Sequence, residues 1–189
     1  MFLQPVGLSF YPSRYEICGK TLCQLFARLD LLPTQPSMPD YNTISTEQWQ
    51  IMLPADWAQK PQTDKPGSFY FEASDGTKGA YISVFTRTNP CSSALADLAT
   101  WRDTEIRNLH AMIDHHWEIL EEWQHEESET AISASDCLER TTNYRIVCLR
   151  MTQFPWLVRV SLHDYNCTDY EASKQAFLPL IDSFSPVFA

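Results

Sequence analysis

The sequence predicts an α+β fold built mainly of antiparallel sheet, with helices packed on its faces as an α/β/α sandwich. Three observations predict it. Residues 49–53, 69–72, 81–85 and 156–163 alternate apolar and polar side chains at the period of two that a strand imposes. Two longer segments, starting near Ser92 and near Thr168, change to helical spacing. Residues 144–152 are apolar on both parities, as a central strand covered on both faces would be.

Taken in order, residues 19–32 place Leu22, Leu25, Phe26, Leu29 and Leu32 at helical spacing. Pro33, Pro36 and Pro39 then stiffen an extended linker. Residues 1–40 are therefore expected to be a helix and linker attached to a single domain over 41–189. The domain opens with Trp49, Ile51 and Leu53 alternating against Gln50 and Met52, and ends this strand in a turn at Pro54-Ala55-Asp56-Trp57. Phe69 and Phe71, then Tyr81, Ser83 and Phe85, make a hairpin around Ser74, Asp75 and Gly76.

Leu95, Leu98, Trp101, Ile106, Leu109, Met112 and Ile113 form one apolar stripe, predicting a major helix that runs to about His115 or His116. Ser92 or Ser93 is its expected cap, with Asp97 near the first turn. Strand character returns at Trp117, followed by a poorly hydrophobic run over 130–140 that predicts only a weak hairpin partner. Residues 144–152 and 156–163 are the two better strands, joined at Phe154-Pro155. Thr168 and Glu171 stand in a capping-box relation before a closing helix, which Pro179 should bend.

The chain has 189 residues and a formal net charge of −10, enough length for one sizeable core. Between Arg107 and Arg140 it carries no lysine or arginine, yet holds Asp114, Glu118, Glu121, Glu122, Glu126, Glu127, Glu129, Asp136 and Glu139. A field of one sign steers a basic partner and repels nucleic acid. Arg145, Arg150 and Arg159 are placed to neutralise part of it internally. No segment reaches the ~20 apolar residues of a membrane span, and residues 1–12 lack the features of a leader, so the expected compartment is the cytoplasm. The six cysteines are scattered, which predicts mostly reduced thiols. Cys18 and Cys23 form a C-x4-C with no second pair to complete a zinc site.

Candidate chemistry is sparse. His110, His115, His116 and His125 lie near several carboxylates, but five-residue and adjacent spacings put no pair on one helix face, so no metal site is expected. Cys148 falls in mid-strand, where a buried inert thiol is the expectation. Neither a nucleophile elbow nor a phosphate-binding glycine loop occurs. No catalytic residue and no cofactor is assigned. Among the six tryptophans Trp123 stands apart, because Glu121, Glu122, Gln124 and Glu126 surround it. An exposed tryptophan in such a setting is an interface anchor.

The order of elements, with Trp49, Ile51, Leu53, Pro54 and Trp57, the last strand pair, and a helix ending at Phe184, Ser185 and Pro186, resembles the Mog1/PsbP-like α/β/α sandwich and, within it, the bacterial DcrB-like group. The resemblance covers roughly residues 41–189. It implies small non-catalytic binding modules, among them adaptors and chaperones for secreted bacterial toxins. The expected function is accordingly a protein-binding module, a toxin chaperone or immunity protein, acting through Trp123, Glu121, Glu122, Glu126 and Glu127 on a protein partner. The alternatives are a small-ligand-binding domain with its pocket between sheet and helix, and a hydrolase or metalloenzyme without a recognised motif. Oligomeric state is not legible.

Overall fold

Strand alternation is translated directly into packing at residues 49–54. Trp49, Ile51 and Leu53 are buried while Gln50 and Met52 face out. The computed structural model describes residues 40–61, 67–88, 93–127 and 129–187. The expected helix at 19–32 and the proline-rich linker lie outside the described residues.

In chain order the strands are β1 (Tyr41–Ser45), β2 (Trp49–Pro54), β3 (Ala58–Lys60), β4 (Ser68–Glu72) and β5 (Lys78–Thr86). Helix α1 (Ala94–His110) follows, then β6 (Trp117–Glu127), β7 (Thr130–Glu139), β8 (Tyr144–Gln153) and β9 (Trp156–Asp164). Helix α2 (Tyr170–Ser183) and the short β10 (Ser185–Pro186) close the chain. Seven strands form one sheet in the order β3-β4-β5-β9-β8-β7-β6, and three form another in the order β1-β2-β10. Every pairing in both is antiparallel.

Register separates the large sheet into two unlike faces. Directly opposed residues share a face, so each cross-strand row can be read across the sheet. One face carries Phe69, Ile82, Val160, Leu149, Ala134 and Trp123 in a row, and Phe71, Ala80, Leu162, Val147, Asp136 and Glu121 in the next. This is the core face. Phe177, Leu180 and Ile181 of α2 are buried on this side, and Trp49 of the small sheet meets Phe69 and Phe71 edge-on at 5.0 and 6.4 Å. The layer on this face is thus α2 together with a three-stranded sheet, more than the single helix of the expected sandwich.

The opposite face, under α1, is polar. Its rows are Ser68, Ser83, Arg159, Arg150, Ser133 and Gln124, then Tyr70, Tyr81, Ser161, Cys148, Ser135 and Glu122. Helix α1 buries only Leu98 completely, and Met112 and Ile113 of the expected stripe lie beyond its end, 45% and 86% exposed. Its apolar stripe overstated its burial, because the surface it meets offers ion pairs rather than hydrocarbon. The helix also ends at His110, short of the expected His115 or His116, and Asp114 turns the chain with φ of 69°.

Two further expectations are corrected. Residues 130–139 form not a weak strand but one of the most buried, flanked by β6 and β8 on its two edges. Ser135, Asp136 and Glu139 are buried there because neighbours satisfy them, which composition does not reveal. Asp169, not Thr168, caps α2, its carboxylate accepting from the Ala172 amide at 3.0 Å. Strands β1 and β3 were not legible, one being short and polar and the other only three residues long. Helix α2 continues through Pro179 to Ser183.

Candidate functional site

β6 is the edge strand of the large sheet, eleven residues long, and among the described residues nothing pairs with its outer side. Glu118, Glu122, Gln124, His125, Glu126 and Glu127 are exposed along it. An edge of this length presents unpaired backbone donors and acceptors. A register shift between Ile119 and Glu121 marks an irregularity near its start.

The five residues expected to form a protein-binding surface all lie on β6, but not on one face. Glu121 and Trp123 belong to core-face rows; Glu122 belongs to a row of the polar face, and Gln124 beside it to the next. Strand alternation then places Glu126 with Glu122 and Glu127 with Trp123. Trp123 is half-buried at the end of a core row, stacked on His125 with ring centroids 6.1 Å apart. Glu121 accepts from Lys174 of α2 at 2.6 Å, Glu122 lies 3.8 Å from Arg102 of α1, and Glu126 accepts from the Leu95 amide at 3.1 Å. What unites the five is the strand edge between the faces.

Two other acids of the basic-free segment are internal. Asp136 forms a two-point pair with Arg145, Nε to Oδ1 at 2.9 Å and Nη2 to Oδ2 at 2.7 Å, and accepts from Tyr170 at 2.9 Å. Arg145 also donates to Ser173 at 2.9 Å and lies over the rings of Tyr170 and Phe177, so this buried pair ties α2 to the sheet. Glu139 accepts from the amides of His116, Thr141 and Thr142 and from the Thr142 hydroxyl. That hydroxyl, with the amides, holds its carboxyl far below the usual carboxylate range. Of the arginines expected to neutralise the segment, only Arg145 does so; Arg150 and Arg159 pair with Glu105 of α1.

The polar face holds the constellation that sequence reasoning missed. Glu105 reaches down from α1 and accepts from Arg150 Nε at 2.5 Å and Arg159 Nη1 at 2.7 Å, with the Cys148 thiol at 3.5 Å. Burial pushes the Cys148 thiol up to about 12, so it is no nucleophile at neutral pH. Beyond it, His163 is held between Tyr144, whose hydroxyl lies 2.5 Å from Nδ1, and Ser161, whose hydroxyl lies 2.8 Å from Nε2. Burial, aided by Arg159, lowers His163 to about 3, leaving a neutral imidazole between two hydroxyls. Tyr81 stacks on Tyr70 at 4.3 Å and meets His163 edge-on at 4.8 Å, and the Tyr70 and Tyr165 hydroxyls are 3.2 Å apart. Gly79 permits this cluster, since a Cβ there would lie 2.7 Å from the Tyr165 hydroxyl and 2.8 Å from the Tyr70 ring. That glycine in a strand was the one sequence signal available.

His110, His115, His116 and His125 are not gathered, and among the described residues no group of three or more metal-ligating side chains is close enough to hold an ion. No described helix is long and apolar enough to cross a membrane. A groove of about 390 Å³ lies between β3 and β4, lined by Gln59, Lys60, Pro61, Ser68 and Phe69.

No protein-family profile matches the chain, and no curated protein matches its sequence. Solved structures match it by shape. The solution structure of the cyanobacterial PsbP protein CyanoP from Synechocystis sp. PCC 6803 superposes with a TM-score of 0.61 at 13% identity, over 82% of this chain and 99% of that one. PA94, a Pseudomonas aeruginosa protein of unknown function, matches at a TM-score of 0.38 and 14% identity, over 74% of this chain and 95% of its own. The fold is therefore PsbP-like, as the order of elements implied. At such identity the likeness with CyanoP extends to the fold alone.

Proposed function

We propose that this protein is a non-catalytic binding module that takes up a basic, extended segment of another protein along β6. The observation that carries the reading is the outer edge of that strand, which no described residue pairs, with acids on both of its sides. Strand addition draws affinity from backbone hydrogen bonds and specificity from alternate side chains. A partner with lysine or arginine at alternate positions meets Glu122 and Glu126 on one side, or Glu127 beside Trp123 on the other. Self-pairing of two β6 edges sets glutamate against glutamate, which like-charge repulsion disfavours. The biological form we favour is an escort or immunity protein of bacterial toxin secretion, cytoplasmic and DcrB-like. It is supported by the turn at Pro54-Ala55-Asp56-Trp57, closed by the Trp57 amide on the Pro54 carbonyl at 2.9 Å, and by the order of elements.

The test uses a peptide of about ten residues alternating lysine and valine, against a control alternating glutamate and valine. The lysine peptide should slow hydrogen exchange at β6 amides, and a Glu122→Lys, Glu127→Lys double variant should weaken it about tenfold at low salt. Equal binding of both peptides, or unchanged exchange at β6, removes the edge from the reading.

A further inference from the structure

We propose that the polar row beneath α1 is a binding site for a small oxyanion, the carboxylate or phosphate group of a ligand, held by Arg150, Arg159 and Ser133. The three stand in one cross-strand row, Ser133 opposite Arg150 and Arg150 opposite Arg159. Each carries a buried polar atom with no hydrogen-bond partner among the described residues: Ser133 Oγ, Arg150 Nη1 and Arg159 Nε. Orphaned donors on adjacent strands are uncommon, because each forfeits its hydration without return. Two of the three are guanidinium N–H groups, which donate and never accept, and the serine hydroxyl can donate as well. The complement of such a set is a group made only of acceptors.

Charge points the same way. Two guanidinium groups share a single carboxylate, Glu105, whose oxygens are already engaged by Arg150 Nε, Arg159 Nη1 and the Cys148 thiol. The cluster keeps an excess of one positive charge beside a buried neutral His163. Glu122, at the β6 end of the neighbouring row, is drawn toward Arg102 instead. A water molecule satisfies an orphaned donor but leaves that charge uncompensated, whereas an oxyanion answers both. The Arg150 side chain is 2% exposed and that of Arg159 30%, so an anion enters past Arg159 and meets Arg150 at the inner end.

This site is separate from the β6 edge, and its test is independent of any protein partner. The full chain is titrated calorimetrically with inorganic phosphate and, separately, with acetate, against chloride at matched ionic strength. Saturable binding of one anion per chain is expected, weakened about tenfold by Arg159→Gln and by Ser133→Ala. Preference for phosphate identifies a phosphate-bearing ligand, and preference for acetate a carboxylate. Ser133→Ala removes one hydroxyl, so it reports even if Arg159→Gln does not fold. Binding no different from chloride, or an affinity that Ser133→Ala leaves unchanged, overturns the proposal.

Discussion

At the scale of single residues, the acids of the basic-free segment have three separate fates. Those of β6 stay near the surface, Glu139 organises a turn, and Asp136 is buried against Arg145. The side chains of that last pair are 3% and 1% exposed. Removing one partner of a buried pair strands the other charge, so Asp136→Ala should cost about 3–5 kcal/mol in urea unfolding at neutral pH. Replacing both with apolar residues should recover part of that loss, since the uncompensated charge goes with them. The thiols follow the same logic of burial. Burial pushes Cys137 up to about 11 and Cys148 up to about 12. In the folded protein at pH 8 neither should be alkylated by iodoacetamide, as peptide mass mapping would show, while urea exposes both.

At the scale of elements, the two helices are attached by different means. α2 buries Ser173, Phe177, Leu180 and Ile181 on the core face, whereas α1 buries Leu98 and relies on Glu105, Arg102 and the Arg87–Asp97 ion pair. Ion pairs near a surface hold less firmly than buried hydrocarbon. Native-state hydrogen exchange should therefore show the α1 amides opening at lower free energy than those of α2 or β8, and added salt should widen the difference. Equal protection of the two helices would contradict this account of how α1 is held. The apolar stripe of α1 was legible in the sequence, but what it met was not. Strand β7 illustrates the converse, since Ser133, Ser135, Asp136 and Glu139 read as surface residues until Arg150, Arg145 and the amides around Glu139 stand beside them.

For the molecule as a whole, the consequence is a fold sensitive to acid. His163 is lowered to about 3 in the folded state, mainly by burial, against roughly 6.5 for an unfolded chain. Above that higher value both states are deprotonated and the group makes no difference to stability. As pH falls from about 6.5 toward 3, the unfolded chain takes up a proton that the folded protein refuses, so stability falls by at most ~1.4 kcal/mol per pH unit. Glu139, lowered in the folded state, adds a second loss as pH drops below the ordinary carboxylate range. His163→Gln should flatten the dependence between about pH 6.5 and 5 and leave the steeper fall below it; an unchanged slope in urea melts across that window would exclude His163 as its source.

The sequence by itself determined the order of the longer elements, the amphipathic strands and a serine cap at Ser92 or Ser93, which the structure places at Ser93. These rest on a period of two or of 3.6 and on short-range hydrogen bonds, all contained within a few neighbouring residues. It also determined that the β6 segment is acidic. Only the tertiary structure decided that this segment is a sheet edge with its expected binding residues divided between two faces. The same is true of the two arginines, taken by a glutamate from a helix more than forty residues away, which leaves orphaned donors under that helix. The physical reason is that a polar side chain carries the same letter whether water or a buried partner satisfies it. Cross-strand register chooses that partner, and register is set by pairing between segments distant along the chain.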